Sequence, residues 1–407
     1  MRYVLRVIAS GAGAFAVAAV ALFSSASASS SQMVVYNFTG GDDGGNAATS
    51  VAFTSTGRAI VTTVEGGSDG CGTVDELTPG PGLWTERTLW TFTCFNDGKN
   101  PHGGVTIDAF GNMYGTTVAG GNGGQCVGDG CGVIYRIGAH GGFTVLYNFK
   151  GLDDGFGPGN APAVDSNGNL YGDAPDGGKH GLGVVYELSH VGNRWILTVL
   201  HAFSGRNDGG TGSLGPLLVD SASNVFGVTE TGGLHQAGNV FEISPGPNNT
   251  HVFKVLYQFK GSPDAAFPYG GVIADGSGDL YGTTYFGGAT GNGTVYELIP
   301  KLTGGYAERV LHSFSGGTDG GNPLSTLVFN PAGFLFGTTS AGGGSCTCGT
   351  IFKILHKNLM TVHQFGSTGT DGQFPLYGLT PDAHGNMFTS TVQGGDFGQG
   401  VIYGISP

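Results

Sequence analysis

Seven aspartates recur at nearly constant spacing. Asp43, Asp97, Asp154, Asp208, Asp264 and Asp319 each lie five residues after a phenylalanine, and Asp371 lies six after one. Carboxylates set out by matching loops offer hard oxygen donors, which suit Ca²⁺ or the hydroxyls of a sugar, although no loop has the spacing of a known calcium motif. The same placement suits a structural task, because an Asp before Gly caps its own turn through backbone N–H groups. Both readings stay open on sequence alone. His102, Arg206 and His235 break the repetition, and asymmetric polar residues on loops are where a binding site is expected.

Catalytic patterns are thin. The chain has no His-Glu-x-x-His, no Gly-x-Ser-x-Gly and no phosphate loop. Asp153 beside Asp154 supplies two carboxyl groups, but adjacency in sequence does not set the separation that glycoside hydrolysis needs. His201, His312 and His363 stand two residues before the repeated phenylalanine, where other copies carry Tyr36, Trp90, Tyr147 and Tyr257, which points to packing.

The elements that position these residues follow from the repeat itself. Phe38, Phe92, Phe149, Phe203, Phe259, Phe314 and Phe365 are separated, by subtraction, by 54, 57, 54, 56, 55 and 51 residues. A second phrase returns midway, clearest at Asp108 to Thr117 and Asp275 to Thr284. A third closes each unit with paired glycines and an alternating strand, as in Gly287-Gly288 and then Gly293 to Leu298. Short β-branched and aromatic runs bounded by Gly, Asn, Asp and Pro read as strands joined by tight turns, about four per unit. Repeats of this length and strand count predict an all-β fold, a seven-bladed β-propeller of four-stranded blades. The strand at Met33 to Asn37 is expected to complete the last blade beside residues 375 to 405.

Composition fits that reading. The 81 glycines among 407 residues supply turns, while regularly spaced aromatics argue against a disordered low-complexity chain despite only 11% charged residues. Residues 1–28 read as a secretory signal peptide, with Arg2 and Arg6, an apolar stretch and Ala26-Ser27-Ala28. A single propeller domain is expected over residues 29–407, with no membrane span once the signal is removed. Losing Arg2 and Arg6 leaves 14 basic residues against 29 acidic ones, a formal charge of −15, which argues against a nucleic-acid partner. Six cysteines in an exported chain predict disulfides. A hairpin centred on Thr78 to Gly82 places Cys71 opposite Cys94, Cys126 and Cys131 bracket one short loop, and Cys346 and Cys348 share the equivalent loop of a later repeat. A zinc site lacks paired Cys-x-x-Cys spacing.

Gly-Asn-Met-Tyr-Gly-Thr-Thr at 111–117, Asp-Leu-Tyr-Gly-Thr-Thr at 279–284 and Gly-Thr-Val-Tyr-Glu-Leu at 293–298 resemble the GloVer repeat of bacterial "choice-of-anchor tandem repeat" proteins. The resemblance covers nearly all of the chain after residue 28 and implies an exported, surface-associated or released β-propeller-like protein. Members commonly end in an anchoring or sorting segment, whereas this chain stops at Pro407 directly after its last strand, so secreted or periplasmic residence is expected. Two functional expectations remain. One is a non-catalytic scaffold that binds a polysaccharide or a cell-envelope protein through its Asp/Gly-rich loop face, with no cofactor unless Ca²⁺ occupies the carboxylates. The other is a carbohydrate-active enzyme, a polysaccharide lyase or glycoside hydrolase. A central funnel lined by unlike carboxylate, His and Arg side chains favours the enzyme, and one lined by small and apolar residues favours the scaffold.

Overall fold

The midway phrase builds its own hairpin. In blade 2, Asp108 Oδ1 accepts from the N–H groups of Phe110 and Asn112, both at 2.9 Å, and Oδ2 accepts from the Asn112 side chain at 2.8 Å. Gly111 takes φ of +83°, which glycine adopts without steric cost, and its N–H closes the turn onto the Asp108 carbonyl. Asp165, Asp220 and Asp382 repeat the hydrogen bonds, with Gly168, Ser223 and Gly385 at the positive-φ position, so one local rule shapes the tip between the first and second strands.

In this computed structural model, residues 32–126, 128–205, 207–210 and 215–406 are described; the signal peptide expected at 1–28 lies outside them. Among the described residues there are seven four-stranded antiparallel sheets and no α-helix. Blade 2 serves as the type, running Lys99–Ile107, Met113–Ala119, Val133–Ile137 and Phe143–Asn148 from the axis outward. The seventh blade takes Thr380–Pro381, Met387–Thr391 and Val401–Ile405 from the end of the chain and Gln32–Asn37 from its start, with Val34 paired to Tyr403. The ring thus closes as the repeat register predicts. Closure is reinforced at the axis by the Ser390 hydroxyl, which donates to the Thr49 carbonyl of blade 1 at 2.6 Å. Thr116, Thr283 and Thr338 make the same kind of bond to the next blade, to the carbonyls of Asn160, Ser325 and Tyr377.

Blades stack through aromatic pairs. The repeated phenylalanine after each outer strand is fully buried, and six of the seven meet an aromatic on the third strand of the next blade edge-on, as Phe92 meets Tyr135 at 5.3 Å and Phe259 meets Tyr296 at 5.0 Å. In blades 2 to 6 that third-strand ring lies over a glycine of the second strand, where Gly282 pairs with Tyr296 and a Cβ would collide with the phenol, whereas in blade 7 Thr389 faces Tyr403. In those five blades a side chain at the glycine forces the ring away. Blade 1 solves the same packing differently, with Val61 facing Asp75. The smaller third-strand residue makes room for the larger second-strand one. Asp75 is buried, accepts a hydrogen bond from Thr73, and has its carboxyl pushed well up by burial.

The three disulfides join Cys71 to Cys94, Cys126 to Cys131 and Cys346 to Cys348, with Cα separations of 5.4, 5.4 and 5.2 Å. Among the described residues no helix is long and apolar enough to cross a membrane.

Candidate functional site

Each repeated aspartate is held by its own blade. Tyr147 donates to Asp154 Oδ2 at 2.8 Å and the Lys150 N–H to the same oxygen at 3.1 Å, while Leu152 N–H approaches Oδ1 at 3.4 Å. Asp43 is held by Tyr36 and Thr39, Asp97 by Trp90 and Thr93, and Asp264 by Tyr257, Lys260 N–H and Ala265 N–H. Asp208, Asp319 and Asp371 pair instead with His201, His312 and His363 at 3.1, 3.0 and 3.0 Å. Burial alone raises the carboxyls of Asp208 and Asp319, but the hydroxyl and N–H of Ser204 or Ser315, together with the histidine, outweigh it and hold both below the usual range. The donor in every blade is the residue two before the phenylalanine. All seven are Tyr, Trp or His, aromatic rings with a polar hydrogen, and never Phe. Sequence reasoning treated these rings as packing alone. The missed signal is that a purely apolar position would admit Phe or Leu.

The carboxylates therefore face inward to their own turns. Asp43, Asp97, Asp154 and Asp371 are buried. Asp264 abuts a second carboxyl, Glu308, which burial and the Asp264 charge push up to about 8. Among the described residues no three of His, Cys, Asp and Glu converge as a metal site requires. Arg206 lies outside the described residues, and His235 is exposed on the loop between the second and third strands of blade 4.

His102 reaches a different place. The loops entering each blade and those between its second and third strands emerge on one face, where Phe156 bridges to Asp176, Gly321 to Ala341, and Ala265–Ala266 pairs with Phe286–Gly287. From this face a cavity of about 1070 Å³ descends along the axis, a volume just above the roughly 300–1,000 Å³ typical of ligand sites. It is not seven-fold. Its rim is built by blades 2 and 3, from Val118 and the Gln125-Cys126 loop on one side to Phe156 and Asp176 on the other. Deeper, it is walled by Ala161, Pro216, Leu324, Val328 and Leu376, with Ser50, Thr106 and Thr326 as hydroxyl-bearing residues.

Within it His102 Nδ1 lies 2.6 Å from the Tyr377 hydroxyl, joining blade 2 to blade 7. Burial pushes the imidazole below its usual range and the phenol above its own, so both are uncharged near neutrality. Tyr269, also lining the cavity, donates to Glu230 at 2.5 Å. His102, Tyr269 and Leu324 all lie ten residues after a repeat phenylalanine. That position is unlike from blade to blade, which is the only trace of the cavity in the sequence. Among the described lining residues Asp176 is the single carboxylate, and no Lys or Arg is present.

Among solved structures, the extracellular domain of a candidate one-component system from B. thetaiotaomicron is similar, with 12% identity and a TM-score of 0.52 over 88% of this chain, which spans 38% of that one. A candidate 6-phosphogluconolactonase from Bacteroides uniformis is similar at 12% identity and a TM-score of 0.51, over 78% of this chain and 84% of the other. At such identity they share the fold. No curated protein matches by sequence. The Gloeobacter/Verrucomicrobia repeat model matches residues 127–306 and 247–407, more than half of the chain. With its seven repeats each closed into a blade, the chain belongs to the Gloeobacter/Verrucomicrobia repeat family.

Proposed function

We propose that this is an exported, non-catalytic propeller that binds a glycan or a cell-envelope protein at the loop face, with the axial cavity as the recognition site. The observation that carries this reading is the cavity itself, an asymmetric opening in an otherwise repetitive ring, walled mainly by small and apolar residues. Three disulfides support an extracellular or periplasmic setting, where such bonds persist. The wall holds no pair of facing carboxylates of the kind that glycoside hydrolysis uses. A phosphosugar chemistry like that of the candidate 6-phosphogluconolactonase calls for cations around the phosphate, and the described lining contains none.

The test is a thermal-shift titration of the oxidised protein against envelope and plant polysaccharides, with reducing ends and unsaturated products assayed in parallel. Binding to the folded state alone raises the melting temperature, by about 2.7 kcal/mol of stabilisation at a hundred times Kd. A shift without product supports a binding protein. Product formation moves the chain to the carbohydrate-active enzymes.

A further inference from the structure

We propose that the axial part of the cavity selects an uncharged saccharide, with the His102–Tyr377 pair as its specificity element. This rests on the binding role argued above and names the ligand class. Three observations lead there. First, the deep wall alternates aliphatic and hydroxyl-bearing residues, Leu324, Thr326 and Val328 along the segment that leads into the first strand of blade 6 and Leu376 beside Tyr377 on the next blade. A neutral pyranose presents the same mixture, C–H faces between hydroxyl groups.

Second, the deep wall lacks any charged side chain among the described residues, and the rim adds only the carboxylate of Asp176. A uronate or phosphate entering the well loses its water without gaining a cation, which is costly. The protein's formal charge of −13 adds repulsion over longer range.

Third, the His102–Tyr377 pair is joined by a hydrogen bond. Nδ1 lies 2.6 Å from the Tyr377 hydroxyl, which donates to Nδ1 in one imidazole tautomer and accepts from Nδ1–H in the other, and both groups are uncharged near neutrality. Nε2 makes no hydrogen bond to any described residue, which leaves one polar ring atom, a donor in one tautomer and an acceptor in the other, within the cavity lining. A sugar hydroxyl, which both donates and accepts, fits it in either tautomer.

The experiment is calorimetric titration of the whole oxidised protein with two sets of hexasaccharides. One set is neutral, from laminarin, cellulose, xylan and mannan; the other is acidic, from polygalacturonate and alginate. The variants are Ala161→Trp and Leu324→Trp, which fill the well from different blades, and His102→Ala. Melting curves confirm that each is folded, and either Trp variant suffices if the other fails to fold. At least one neutral oligosaccharide is expected to bind, to be lost in the Trp variants, and to weaken roughly 3- to 10-fold in His102→Ala, as for one hydrogen bond to a neutral group. Binding of acidic oligosaccharides alone overturns the choice of neutral sugar but leaves glycan binding standing. Neutral binding that survives both Trp variants overturns the axial placement, again without touching the broader reading. No binding by either set overturns the saccharide proposal and glycan binding together, and leaves a cell-envelope protein as the partner of the broader reading.

Discussion

Replacing Asp173 tests the account of how the blades lock together at the axis. Asp173 stands on the second strand of blade 3, where Thr116, Thr283 and Thr338 of other blades donate to a neighbouring carbonyl. It is 2% exposed and its Oδ2 has no hydrogen-bond partner among the described residues. Burial pushes its carboxyl up to about 8, only partly opposed by the Asn160 side chain. The unfolded chain releases the same proton near the ordinary aspartate value of about 4. Between those two values the unfolded state binds fewer protons than the folded one, so stability falls as pH rises through the window. Four units at 1.36 kcal/mol each give up to roughly 5 kcal/mol lost by pH 9.

Asp173→Asn keeps the shape and removes the ionisation. Guanidinium unfolding of both proteins at half-unit steps from pH 4 to 9 reads the difference, in which all other titrations cancel. The variant is expected to match the parent near pH 4 and to exceed it by several kcal/mol at pH 9. A difference that stays flat across that range refutes the reasoning, because Asp173 then titrates alike in both states.

Further outcomes follow from the same packing and hydrogen bonds. Asp154→Ala strands the Tyr147 hydroxyl and the Lys150 N–H, and is expected to cost about 2 kcal/mol in chemical denaturation; a loss below about 0.5 kcal/mol contradicts a capping role. Tyr186→Phe removes a buried hydroxyl that has no partner and copies Phe241 and Phe352 of other blades, so it is expected to be neutral or to stabilise by about 1 kcal/mol. Deleting residues 32–37 removes the outer strand of blade 7 and exposes the edge of Val401–Ile405. The truncated chain is expected to lose cooperative melting or to self-associate on gel filtration, and full retention of both properties contradicts closure by that strand.

The ring was legible because its chemistry is local and repeated. Phe38 through Phe365 mark each blade, Asp108-type turns mark five of the seven inner hairpins, and the orphan strands at Met33 and Val401 can satisfy one another only by pairing. The cysteine pairing was legible for a similar reason, since hairpin register and short loops leave few partners. The partners of the aspartates were less so. Asp154 and Tyr147 are seven residues apart across a turn, and only the polar hydrogen common to Tyr, Trp and His hints that they meet. The cavity was hardest, because a ring joins residues that sequence separates: His102 and Tyr377 are 275 positions apart. His102 stood out as an asymmetric residue, but Tyr269, Leu324 and Tyr377 could not be grouped with it before the blades were closed.

The central claim is that recognition lies in the axial cavity while the repeated carboxylates hold their turns. The direct measurement is the ligand-induced shift in melting temperature, each protein against its own unliganded form, for the parent, Ala161→Trp and Asp208→Ala. The shift is expected to disappear in Ala161→Trp and to persist in Asp208→Ala, whose unliganded melting point is lowered. A shift that survives Ala161→Trp and vanishes in Asp208→Ala places recognition on the carboxylate loops and contradicts the account.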